Sequence, residues 1–144
     1  MKFINKSCIV RVLVAVLILF IFWEIQSLIV TRVWKKRFDY IKQTYDVNNV
    51  LDISKDLCMK YANNGVLLYP FDDDFPLYFK TNTQYNLNLV LVGQKHQTVQ
   101  YMWGGGAAKS GYWGIYVDFS TNKFSSESKL FFEEWTNSVY IMNV

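Results

Sequence analysis

Four stretches of this 144-residue chain hold side chains whose types and spacing could do chemistry. The first, GGGAAKSG at 104–111, sets glycines before Lys109-Ser110 in the manner of a phosphate-binding loop. Such a loop needs a glycine directly before its lysine, where backbone must approach the phosphate, and a helix directly after it to receive the charge. Here Ala108 precedes Lys109, and the residues after Ser110 alternate aromatic and aliphatic side chains as a strand does. The stretch reads as a hairpin turn, where glycines reach backbone angles closed to other residues. Neither a nucleotide nor any other cofactor is expected.

The second stretch, FDDDF at 71–75, gathers three carboxylates of the kind that hold calcium or magnesium. Three adjacent side chains cannot converge on one ion without strain, and the alternating ligands and central glycine of a calcium hand are missing. Bounded by Pro70 and Pro76, it reads as a solvated acidic turn between strands. The third is a pair, Cys58 and His96, which would form a thiol nucleophile and its base only if the fold brought them within hydrogen-bond reach. Nothing in the spacing does so, and His96 reads as a solvated turn residue. The fourth sets Glu133 or Glu134 with Asp118, an acid pairing that any chain of this size contains by chance. No metal site is expected, because the chain has one histidine and two widely separated cysteines. The reading is non-enzymatic, with a small hydrolase as a minor alternative.

Charge is distributed unevenly. Residues 1–37 carry seven basic side chains against Glu24 alone, a net +6, while residues 38–144 carry eight lysines against eleven acids, a net −3. The basic groups flank an apolar segment and the remainder is mildly acidic, which argues against nucleic acid as a partner. Cys8 and Cys58 lie on opposite sides of the apolar segment, so both are expected to be free.

These groups must be positioned by a limited set of elements. Residues 1–11 form a basic tail, and VLVAVLILFIFWEIQSLIVT at 12–31 is long enough, at roughly 1.5 Å per residue, to cross a bilayer core of about 30 Å. Ile25-Gln26-Ser27 is a poor cleavage site and the apolar run resumes after it, so an uncleaved signal-anchor is expected in the lipid bilayer of the cell membrane. Glu24 is the intramembrane polar residue; it lies within two turns of Arg32, where a side chain reaches the wet interface. Lys2, Lys6 and Arg11 nearly balance Arg32, Lys35, Lys36 and Arg37, and the signal-anchor pattern favours an extracytoplasmic C-terminal part.

Beyond the membrane, residues 32–64 read as a helical stalk. Trp34, Phe38, Ile41 and Tyr45 repeat at helical spacing, Asn48-Asn49 interrupts, and a second helix over 50–63 turns Leu51, Cys58, Tyr61 and Ala62 to one side. From Gly65 the period becomes two. Strands are expected at 66–69, 77–80, 86–92, 98–103 and 112–119, with one or two more from KLFF and VYIM. Their inward sets are Leu87, Leu89 and Leu91; Val99, Tyr101 and Trp103; and Trp113, Ile115, Val117 and Phe119. The fold class is therefore α+β: a transmembrane helix, a helical stalk, and a small antiparallel meander over 65–144 with a helix packed on one face.

For function, the outward residues Met102, Tyr112 and Tyr116 with Lys109 in the adjacent loop form the candidate partner-binding set, a mixture suited to protein contact. The leading reading is a single-pass membrane protein presenting an aromatic-rich interaction domain to a protein partner, as an accessory subunit of an envelope complex. The alternative is a membrane-tethered inhibitor or immunity-type protein whose acidic domain blocks a basic partner. The broad plan also resembles that of type IV pilin-like subunits, but no glycine precedes Gly65 and Glu24 lies deep in the apolar run, so no family is claimed.

Overall fold

The computed structural model describes residues 6–61, 64–80, 85–93, 97–104, 111–120 and 131–143. The chain divides into two compact units, Met1–Lys36 and Arg37–Val144. Helix α1 (Lys6–Thr44) runs through both ranges, so its residues 37–44 belong to the second unit. From Ile9 to Val33 every side chain on it is exposed, including Leu19 at 68% and Trp23 at 74%. The helix is long and apolar enough to cross a membrane. Within it the Thr31 hydroxyl donates to the Ser27 carbonyl at 2.9 Å, so this polar group is satisfied without solvent.

The second unit starts from the end of α1. Ile41 and Tyr45 are buried there, matching the last two members of the helical repeat. The chain then breaks at Asp46, whose backbone is extended and whose carboxylate accepts the N–H groups of Asn48 at 2.8 Å and Asn49 at 3.1 Å. That is an N-cap, and it starts helix α2 (Val47–Lys60) three residues before the expected Val50. The asparagines open this helix rather than interrupt it. Its buried stripe is Val50, Ser54, Leu57 and Cys58; of the expected set Cys58 is buried, while Leu51 and Tyr61 are partly buried against the core.

The sheet has six strands among the described residues: β1 (Val66–Leu68), β2 (Leu87–Val92), β3 (Thr98–Gly104), β4 (Tyr112–Asp118), β5 (Phe131–Thr136) and β6 (Val139–Asn143). All neighbours are antiparallel, in the order β1-β2-β3-β4-β6-β5. The first four form a meander; the last hairpin then enters with β6 beside β4 and leaves β5 at the edge. LYFK is not a strand but the one-turn helix α3 (Leu77–Lys80). Pro76 presets the first turn and accepts the Phe79 N–H at 3.1 Å, and the four-residue spacing of Phe75 and Phe79 buries both.

Register explains the core. One inward row runs Leu68, Val90, Tyr101, Ile115, Ile141 across five strands, and a second runs Val66, Val92, Val99, Val117, Val139. The inward residues expected on β3 are buried, and so are Trp113, Ile115 and Val117 on β4. On β2 the expectation holds for Leu87 and fails beyond it. The register shifts between Leu87 and Leu89, so Leu87 faces Trp103 while Val90 and Val92, not Leu89 and Leu91, take the later inward places. Burying each such side chain contributes about 1.5–3 kcal/mol. Tyr45, Phe79 and Trp113 gather around Trp103, with ring centroids 5.5, 6.0 and 5.4 Å away. Ser54 closes the cluster by pairing with the Tyr101 hydroxyl at 2.8 Å, which satisfies two buried polar groups together.

Candidate functional site

The glycine stretch joins β3 to β4, which pair from Thr98 opposite Asp118 to Gly104 opposite Tyr112. Gly104 and Gly111 bracket the link with φ of 82° and 63°, values that favour glycine, and Asn88 donates its amide to the Gly104 carbonyl. The element after Gly111 is strand β4, so a helix N-terminus to receive phosphate is not present there. Lys109 itself, like His96, lies outside the described residues.

The other members of the candidate contact set lie on β3 and β4 but differ in access. Tyr112 is 41% exposed, Met102 is half-buried opposite Leu89 and Gly114, and Tyr116 is buried. Tyr116 stands opposite Tyr140, with ring centroids 6.3 Å apart. Burial first, then the charge of Asp118 and the neighbouring Tyr140, pushes its hydroxyl up to about 12. Gly114 is essential to this face: a Cβ placed there would stand 1.8 Å from the Tyr101 carbonyl oxygen. Glu24 is exposed on α1.

The remaining chemical groups are dispersed. Burial raises the Cys58 thiol above its ordinary value, which starves it of the thiolate a nucleophile needs. Glu133 pairs with Lys42, while Asp118 accepts the Ser120 N–H at 2.8 Å and shapes a turn. Among the described residues no three His, Cys, Asp or Glu side chains group in a way that could hold a metal ion.

The acidic loop is more ordered than its composition suggested. Asp72 accepts the Tyr69 N–H at 2.6 Å and returns its own N–H to the Tyr69 carbonyl at 2.9 Å, and Phe75 plugs the loop into the core. Asp74 receives the Lys60 ammonium and the Tyr61 hydroxyl, which hold its carboxyl below the usual carboxylate range. Asp73 is exposed and forms no ion pair among the described residues, so the three carboxylates differ in their surroundings. At the far end, Tyr78 accepts the Asp46 N–H at 2.8 Å, tying α3 to the start of α2.

Between these ties, α2 and the loop enclose a groove of about 310 Å³. Ile53 and Leu57 line one side, and Pro76, Leu77 and Tyr78 the other. This groove was not visible in the sequence, since its walls are some twenty residues apart and neither side alone has a binding pattern; the paired prolines around FDDDF were the one local signal of a built loop. Nearby in the chain, Phe71 is 81% exposed and stacks on Tyr69, with centroids 5.5 Å apart. Comparison with known proteins adds no precedent: no family model matches the chain, no curated protein is significantly similar to it, and no solved structure matches it significantly.

Proposed function

We propose that this protein is a single-pass membrane protein whose α1 anchors a non-enzymatic interaction domain, serving as an accessory subunit of an envelope complex. The observation that carries the reading is the exposure of α1 from Ile9 to Val33. A largely apolar helix whose side chains are exposed in this way calls for an apolar surrounding, and lipid supplies one over the Val12–Thr31 run. Arg11 and Arg32 bracket the run at spacing suited to the two interfaces. The pattern of a short basic tail before the anchor supports an extracytoplasmic domain.

The domain supports an interaction role through what it exposes and what it withholds. Its thiol is buried and raised in pKa, and large apolar side chains stand exposed at Phe71, Leu77 and Met59. The inhibitor reading shares this architecture and draws support from the net −3 of residues 38–144. Alkaline carbonate extraction of native membranes, with N-terminal sequencing, tests the anchor: the protein is expected in the pellet with residues 12–31 intact. Recovery in the supernatant, or a mature N-terminus near Leu28, overturns it. A membrane-impermeant protease applied to intact cells tests orientation, and complete protection of the domain reverses it.

A further inference from the structure

The groove between α2 and α3 has features the fold itself does not use. Leu77, on the groove wall, is 72% exposed on a one-turn helix whose buried anchor is Phe79. This side chain does not serve the sheet. Across the groove, the Asp46 N–H donates to Tyr78 near one end, and Lys60 and Tyr61 donate to Asp74 near the other. A preformed apolar slot loses little conformational freedom when something enters it.

Its rim selects what enters. Its charged lining residues are Asp56 and Lys60 on α2 and Asp74 from the loop, and Asp52 and Asp73, next in the chain to the lining residues Ile53 and Asp74, are exposed. Lys55 pairs with Asp52 at 3.3 Å, Lys60 pairs with Asp74, and Lys80 lies over the Phe75 ring at 5.5 Å. Asp56, on the groove wall, and Asp73 remain as carboxylates without an ion-pair partner among the described residues. An apolar floor beside the Asp56 carboxylate, the one lining charge left without an ion pair among the described residues, disfavours anionic lipid headgroups and favours cationic protein surface. We propose that this groove docks a short basic segment of a partner protein, with an apolar side chain between Leu57 and Leu77 and a lysine or arginine reaching Asp56. This rests on reading the domain as an interaction module and names the chemistry of its partner.

The test uses the full chain in its native membranes, with a photo-crosslinking phenylalanine analogue at Leu77 and, separately, at Tyr112 as a control. The crosslinked peptide is sequenced by mass spectrometry. The expected product at Leu77 is a segment of another protein rich in lysine or arginine. Its yield is expected to fall roughly fivefold with Asp56→Lys, and also at about 0.5 M salt, where screening is strong. Asp56→Asn, which keeps the shape, gives a smaller loss and guards against a folding defect in the charge reversal. An acidic or uncharged segment, a lipid adduct or a second copy of this chain at Leu77 overturns the proposal, as does a yield indifferent to Asp56 and salt. A partner captured at Tyr112 and not at Leu77 overturns the groove while leaving the interaction role standing. Absence of any adduct at both positions overturns the groove and the interaction reading together.

Discussion

From Ile9 to Val33, helix α1 exposes valine, leucine, isoleucine and phenylalanine on every side, whereas α2 hides Val50, Ser54, Leu57 and Cys58 along one stripe and leaves its charges outside. Both are helices of one chain, and their side chains meet the same physical requirement by different means. A stripe implies a partner of matching shape, which α2 finds in the sheet through Ser54 and Tyr101. An apolar surface on all sides has no preferred direction and calls for an apolar surrounding rather than a particular surface. The stability of the Arg37–Val144 unit and the proposed retention of α1 in a membrane are therefore expected to respond to different mutations.

The largest separation of the two should come from the aromatic core. Trp103 is fully buried beside Trp113, and Trp103→Ala is expected to cost about 3–5 kcal/mol, enough to unfold a marginal domain. Leu17→Ala on α1, although it also truncates a large apolar residue, should change the stability of the domain by less than about 0.5 kcal/mol. Denaturant unfolding of the full chain in detergent, followed by near-ultraviolet circular dichroism, measures both. Equal losses would mean that α1 supports the domain directly.

The converse mutation acts on the proposed anchor. Leu19→Arg places a charge in the middle of the apolar run, at a cost of about 2.5–3.5 kcal/mol for a central position. The expected outcome is a larger fraction released by carbonate with an unchanged domain unfolding midpoint. Unaltered retention would show that something other than lipid covers this helix.

A smaller effect tests where α2 begins. Asp46 satisfies the N–H groups of Asn48 and Asn49, and Asp46→Ala is expected to cost about 1 kcal/mol in domain stability. Asp46→Asn or Asp46→Ser should recover most of it, since either accepts the same hydrogen bonds. A loss that neither replacement recovers would place the role of Asp46 in its charge rather than in the cap.

Much of this architecture was legible in the sequence where one local rule sufficed. The alternation of Val99, Tyr101 and Trp103 gave their burial because β3 is regular throughout. The same rule failed on β2 beyond Leu87, where the register shift beside Asn88 moves the inward positions from leucines to valines. It failed again at Leu77–Lys80, because four residues cannot distinguish a strand from one helical turn, and the deciding contacts come from Phe75 and Phe79 in the core. Nothing local announces that β6 lies between β4 and β5. The candidate site was the least legible part. Tyr112 and Tyr116 have the same outward parity, yet one is exposed and the other buried, and the groove depends on Ile53 and Leu77 meeting across more than twenty residues.

The smallest expected effect separates the two regions by pH. No tyrosine lies between Ile9 and Val33, whereas in the folded unit Tyr45, Tyr101 and Tyr116 are all raised, with burial the largest cause in each. For Tyr116 the phenol ionises near 10 in the unfolded chain and near about 12 in the folded one. Below pH 10 both states hold the proton and stability is independent of this group. Between about 10 and 12 the unfolded chain releases it first, so rising pH favours unfolding, and the contribution is gone once the folded group ionises too. Denaturant midpoints of the full chain in detergent are therefore expected to fall over this interval, and Tyr116→Phe should make the fall shallower while Tyr45 and Tyr101 preserve part of it. The proposed membrane retention of α1 is not expected to track the same curve, since Ile9–Val33 holds neither tyrosine nor lysine. An identical fall in wild type and Tyr116→Phe would show that this hydroxyl ionises freely, and that the outer face at β4 admits water where the register of Tyr116 against Tyr140 closes it.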